Sequence, residues 1–160
     1  MSGMDKLLIF DLSGLQCALP LAGVERILRA VEISPLPQAP EIVMGLVNVQ
    51  GRIIPVLNIR KLFRLPETEP NLNDQIIIAR TTSRPVAIPV DCAIGVAEYS
   101  ARDIIPSEEL FPGIEYLEGV AKLHDGIIYI YNLDRFLTSE EETGIDPLLS
   151  PDTTADGEER

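Results

Sequence analysis

A single histidine among 160 residues leaves this chain little with which to do acid–base chemistry. That residue, His124, stands before Asp125-Gly126, a dipeptide that favours a tight hairpin turn, so it reads as a surface turn residue. No cysteine or second histidine lies at ligand spacing from it, which argues against a zinc-type site. Neither Gly-x-Gly-x-x-Gly nor Gly-x-x-x-x-Gly-Lys occurs, so nothing recognisable cradles a phosphate and no cofactor is expected. Tryptophan is absent and aromatics make up 5%, so bases or sugars find no stacking platform. Adjacent carboxylates do occur at Glu108-Glu109, but beside Pro106 and Ser107 they lack apolar shielding and read as a solvated turn or a helix start. The two cysteines, Cys17 and Cys92, show no Cys-x-x-Cys spacing and lie in apolar, strand-like surroundings, so both are expected to be buried free thiols. No apolar run approaches the roughly 18 residues of a membrane span. Near the N-terminus Leu7-Leu8-Ile9-Phe10 is cut off by Asp11, too short for a signal-peptide core. The expectation is a soluble, cytoplasmic protein without direct membrane insertion.

Charge adds a further exclusion. The net charge of -12 argues against nucleic acid, whose phosphates need a concentrated basic face. The charge is uneven: residues 1–65 carry seven bases against five acids, whereas residues 139–160 carry eight acids and one arginine. That last segment, with Gly144, Pro147 and Pro151, has too little apolar periodicity to offset the entropy of ordering and is expected to be a flexible acidic tail. The basic excess of the first segment suits an acidic protein helix, and equally a solvated surface.

What the chain does have is an internal repeat. Residues 45–63 (GLVNVQGRIIPVLNIRKLF), moved by 74 positions without a gap, fall on residues 119–137 (GVAKLHDGIIYIYNLDRFL). Gly45 meets Gly119, Asn58 meets Asn132, and Ile53-Ile54 meet Ile127-Ile128, with apolar positions coinciding around them. A second echo, Ala18-Leu19-Pro20-Leu21 with Ala87-Ile88-Pro89-Val90, has an offset of 69. The chain is therefore read as two related halves, each a copy of one β unit.

Short runs rich in Ile and Val, bounded by turn residues, predict ten strands at 7–12, 16–20, 27–33, 43–49, 53–57, 75–81, 86–90, 93–99, 117–123 and 127–131. Ser13-Gly14, Gln50-Gly51 and Asp125-Gly126 supply hairpin turns. Asn58 and Asn132 open short helices as N-caps. A polar, proline-containing stretch over 65–74 separates the halves. The predicted architecture is mainly β: a single domain over 5–138, built of two five-stranded barrels at about 5–65 and 75–138, with exchange of strands between them left open.

These residues carry a family resemblance. The Leu-Ile-Phe-x-Leu opening, Cys17-Ala18-Leu19-Pro20 with Val24-x-x-Ile27-Leu28, Leu36-Pro37-x-Ala39-Pro40, and above all Gly45-Leu46-Val47-Asn48-Val49-x-Gly51-Arg52-Ile53-Ile54-Pro55-Val56 resemble the CheW family of chemotaxis coupling proteins over about residues 6–137. The resemblance implies a pair of five-stranded SH3-like barrels, no catalytic activity, and an adaptor that couples chemoreceptors to a CheA-type histidine kinase. By the same resemblance a groove between the barrels takes the cytoplasmic signalling tip of the receptors, and the matching positions are Val24 and Ile27 with Asn48 and Gly51. A helix lying in a groove suits apolar anchors with a polar rim, while Val24 and Ile27 suit ordinary barrel core equally well. The regulatory domain of the kinase is the other implied partner, and no short motif assigns residues to it.

Three positions depart from the family pattern: Gln50 stands where Arg is usual, Arg26 where Glu is usual, and Asn58 where Asp is common. Losing a guanidinium removes a rigid fork of donors that Gln cannot replace, and Arg26 reverses a charge, so both join the receptor-groove candidates as residues that would retarget it. The alternative function is a divergent CheW-like interaction module that no longer binds the usual receptors and modulates a kinase or response-regulator partner. An enzyme of small-barrel fold would need a site assembled from residues distant in sequence.

Overall fold

A computed structural model describes residues 5–29, 31–67, 73–110, 112–123 and 126–149. Among them are eleven strands: β1 (Asp5–Leu12), β2 (Leu15–Pro20), β3 (Val24–Arg29), β4 (Val43–Val49), β5 (Arg52–Leu57), β6 (Gln75–Arg80), β7 (Pro85–Val90), β8 (Cys92–Tyr99), β9 (Ile104–Pro106), β10 (Leu117–Leu123) and β11 (Gly126–Tyr131). Three α-helices accompany them, α1 (Ile59–Leu62), α2 (Ser107–Leu110) and α3 (Ser139–Leu149). The strands form a six-stranded sheet in the order β8-β1-β2-β11-β10-β9 and a five-stranded sheet in the order β3-β6-β7-β5-β4. The halves of the sequence are therefore not the halves of the structure. β1 and β2 join the second half, and β6 and β7 join the first, so the chain crosses between sheets at residues 21–23 and again at Asp91.

The repeat explains the sheets strand by strand. β1 and β6 are buried on both faces, which is why each reads as a continuous apolar run rather than an alternating one. Leu7 and Ile9 face a small core with Ala18, Ile128 and Ile130, and their repeat partners Ile76 and Ile78 face a matching core with Ala87, Ile54 and Val56. The alternate residues, Leu8 and Phe10 on β1 and Ile77 and Ala79 on β6, meet in a third core between the sheets, with Leu57, Ile59, Tyr131 and Phe136. Phe63, at the end of the first half, stacks on Tyr131 of the second with ring centroids 4.1 Å apart. Offset-stacked rings of this kind add to the burial of their area.

The repeated glycines and asparagines have mechanical causes. A Cβ on Gly45 would lie 2.3 Å from the Ser34 carbonyl oxygen, and one on Gly119 would lie 2.7 Å from that of Ile105. Both glycines sit at a shift in the hairpin register, where a neighbouring segment crosses close: the Ser34 bridge at Gly45 and β9 at Gly119. Asn58 accepts a bond from the Lys61 amide at 3.1 Å, opening α1, and Asn132 accepts one from the Asp134 amide at 3.1 Å, opening a 3-10 turn.

The mainly β architecture of two units is the one expected, with ladders that do not close: β9 adds a sixth strand to one unit, and β3 and β4 form opposite edges of the other. Several other expectations are corrected. The strand expected at 27–33 runs over Val24–Arg29, where β6 supplies its partner, and Ser34 crosses to bridge Leu46 of β4. Residues 139–149, expected to be flexible tail, form α3: Thr138 accepts from the Glu141 amide at 3.1 Å, while the Glu141 carboxylate accepts from the Thr138 amide at 2.8 Å. This is a capping box. Ile145 is fully buried against the central core, and Arg84, from the β6–β7 turn, pairs with Glu142 at 2.9 Å and with Asp146. Cys17 is buried as expected, but Cys92 is exposed, because it opens β8, an edge strand whose outer face also shows Ile94 and Val96 to solvent. Glu108 and Glu109 lie in α2, the helix-start alternative. His124 lies outside the described residues.

Candidate docking cleft

Pro20 ends β2, and the 3-10 turn Leu21–Gly23 carries the chain from the six-stranded sheet to β3 of the five-stranded one. Where it crosses, the two sheets leave a cleft of about 520 Å³. Leu19, Ile104 and Ile130 come to it from the six-stranded sheet, Val24 and Ala79 from the five-stranded one, and Leu133 from the 3-10 turn after β11. The floor is thus apolar. The rim is charged and uneven: Asp5 and Glu118 line the six-stranded side, and Arg80 the five-stranded side.

Asp5 is the cross-strand partner of Tyr99. Burial raises the Tyr99 hydroxyl above its ordinary pKa, and the charges of Asp5 and Glu118 raise it further, so both carboxylates act on one phenol at the mouth of the cleft. Asp134, also on the lining, accepts from the Thr82 amide at 2.8 Å and ties the β6–β7 turn across the cleft. A polar hollow of about 570 Å³ adjoins it, sharing Glu118 and Asn132 and adding Glu108 and Glu115.

Of the six sequence-predicted site residues, only Val24 lines the cleft. Arg26 and Ile27 lie exposed on β3, with Ile27 37% accessible, so Ile27 is not barrel core. Asn48, Gln50 and Gly51 build the β4–β5 hairpin, in which Gln50 and Gly51 take φ of 53° and 88° and Asn48 accepts from the Gly51 amide at 2.9 Å. Two positive φ values fit the hairpin twist, and glycine at the second meets that demand without strain. β3 and β4 are opposite edges of their sheet, yet Glu25 and Arg52 form an ion pair at 2.8 Å that joins β3 to this hairpin. The two sequence groups are therefore neighbours on one surface beside the cleft, and the hairpin does not line it. Asp5, Tyr99, Glu118 and Leu133 escape a reading of the sequence: each is a single residue of common type, and only the strand exchange brings them to one opening.

Among the described residues no group of three or more His, Cys, Asp or Glu could hold a metal ion. Cys17, buried beside Tyr131, has its thiol pushed up to about 12 by desolvation, so it stays protonated and is not a nucleophile. No helix among the described residues is long and apolar enough to cross a membrane.

The pattern of the CheW-like domain matches residues 6–141. The chain belongs to the CheW-like domain family. It is 27% identical over 142 residues to the chemotaxis protein CheW of Rhizobium meliloti, covering 88% of this chain and 92% of that one. It is 26% identical over 97 residues to the protein FrzA of Myxococcus xanthus, covering 61% of each. Among solved structures, the crystal structure of the scaffolding protein TtCheW from Thermoanaerobacter tengcongensis superposes with a TM-score of 0.79 at 25% identity, covering 87% of this chain and 96% of that one. The mainly β, two-sheet architecture is that of the CheW-like fold, and a scaffold of chemotaxis signalling is the function its family supports.

Proposed function

We propose that this protein is a non-enzymatic, cytoplasmic adaptor that couples the signalling tips of chemoreceptors to the regulatory domain of a CheA-type histidine kinase. The observation that carries this reading is the apolar-floored cleft between the two sheets of a CheW-like domain. An apolar floor with a charged rim is the form that accepts a helical segment. The surface made by β3 and the β4–β5 hairpin extends the contact, with Val24, Ile27, Asn48 and Gly51 in the positions the family uses, and with Arg26 and Gln50 altering its charge. That alteration favours a receptor set of its own, so the divergent-module reading is kept for the case in which receptors do not bind.

Isothermal titration with the regulatory domain of a CheA-type kinase from the same genome is the test, followed by titration of that complex with a receptor signalling-tip fragment. Micromolar binding to the kinase, about -8 kcal/mol, with tip binding to the complex, is expected. Kinase binding without tip binding selects the divergent module, and absence of both overturns the adaptor.

A further inference from the structure

We infer that the cleft takes a single helical turn carrying a lysine or arginine beside its apolar anchors, and that Asp5 and Glu118 select that cation. The inference deepens the proposed receptor contact and rests on it. A volume of about 520 Å³ is roughly that of one turn of a helix 10–12 Å wide, so the cleft seats about one turn. The floor of Leu19, Val24, Ile104 and Ile130 fits apolar anchors on that turn. Asp5 and Glu118 come from different strands of the six-stranded sheet, β1 and β10, to line the same cleft as Tyr99. Neither has a cation partner among the described residues, whereas Arg52, Arg60 and Arg84 are all engaged elsewhere. Arg80 is the one cation on the described lining, and it stands on the opposite sheet. The wall beyond Glu118 continues negative through Glu108 and Glu115, with Arg135 3.9 Å from Glu115. A bound turn therefore meets unpaired negative charge on one flank, and on the other Arg80 with Asp134, whose carboxylate is already held by the Thr82 amide. A basic residue on the first flank is attracted, an acidic one is repelled, and the asymmetry sets which way round the turn lies. Tyr99 lines the same cleft, and a cation seated over its ring face would be attracted further.

The experiment is a double-mutant cycle on tip binding. The protein and its Asp5→Asn/Glu118→Gln variant are each titrated, in complex with the kinase regulatory domain, with the signalling-tip fragment of a receptor from the same genome. Both are then titrated with the fragment whose apical Lys and Arg are changed to Gln. Expected is a loss of about tenfold in tip affinity for either change alone, little further loss for both together, and a shrinking difference between about 50 and 500 mM salt. Kinase affinity and thermal midpoint stay unchanged, which separates lost recognition from lost folding. Equal tip affinity of protein and variant at both salts overturns the inference while leaving the adaptor intact. Tip binding absent from the unaltered protein overturns the receptor reading and this inference together, and the kinase titration then says whether the adaptor itself survives.

Discussion

Ala18 of β2 lies beside Ile130 of β11 in parallel register. Its repeat partner Ala87 lies beside Val56, the repeat partner of Ile130, in the same parallel arrangement. Two echoes of different offset in the sequence thus meet as one contact, made once in each sheet. The contact joins strands that are far apart in the chain and exists only because β1-β2 and β6-β7 are exchanged.

The two repeated glycines are expected to be equally intolerant. Gly45→Ala and Gly119→Ala each drive a methyl into a backbone carbonyl, Ser34 and Ile105 respectively. Overpacking of this kind costs about 1–3 kcal/mol. Urea denaturation would measure it, and midpoints equal to the parent's would mean that the crossing segments move aside.

The second crossing between sheets is clamped by one guanidinium. Arg60, 9% exposed, bonds Ser13 Oγ at 3.2 Å and pairs with Asp91, whose other oxygen accepts from the Ser13 amide at 2.8 Å. Asp91→Ala leaves that buried charge without its partner and is expected to destabilise by about 2–3 kcal/mol, more than Ser13→Ala, since bonds to charged groups are worth more than neutral ones. Comparing the two denaturation curves checks the order.

Helix α3 should behave as part of the fold. Ile145→Ala is expected to cost about 2–5 kcal/mol as a core truncation, and a chain ended after Thr138 should melt lower than the full chain. A truncated chain with an unchanged melting temperature would show that the helix adds nothing to the domain.

Alkaline pH should unfold the protein through the Cys17–Tyr131 pair. The Cys17 thiol is raised from 9.0 to about 12, chiefly by desolvation, and the Tyr131 hydroxyl is also raised, first by burial and then by Cys17. A raised pKa means that the folded state holds its proton after the unfolded chain has lost it. The Cys17 contribution is thus full below about pH 9 and disappears as pH climbs towards 12, and that of Tyr131 begins to fall only above about pH 10. Stability should fall there by up to about 1.4 kcal/mol per pH unit for each such group. Cys17→Ala should flatten the slope. In parallel, a thiol reagent at neutral pH should label exposed Cys92 at once and Cys17 only on unfolding.

Restoring the usual family charges tests the proposed retargeting of the β3 and β4–β5 hairpin surface. Gln50→Arg with Arg26→Glu is expected to raise affinity for receptor tips that other CheW proteins bind and to lower it for the protein's own. Unchanged affinity for both would separate these positions from receptor choice. Both are exposed, so the change should leave stability within about 0.5 kcal/mol.

Much of the fold is legible in the sequence because local chemistry dictates it. Apolar runs bounded by Ser13-Gly14 and Gln50-Gly51 had to become hairpins, and Asn58 and Asn132 had to cap the short helical turns that begin after them. Thr138-x-x-Glu141 is a legible helix start too, although the acidic composition around it points to solvent and so to a tail. Family membership is also readable, since the 45–56 motif is specific by length and order. The candidate docking cleft is legible in part: Val24 stands in a motif, but Asp5, Tyr99 and Glu118 carry no local signal.

The sequence alone determined that there are two copies of one β unit, where most strands run, and that no catalytic constellation is written into neighbouring residues. Pattern and turn chemistry are local, and a repeat imposes the same local solution twice. Tertiary structure alone decided which strands pair, that Arg84 reaches across to hold α3, that Cys92 faces solvent, and that carboxylates from β1 and β10 line one cleft with Tyr99. Each of these depends on contacts between segments tens of residues apart, and those are set by how the exchanged strands bury their second faces.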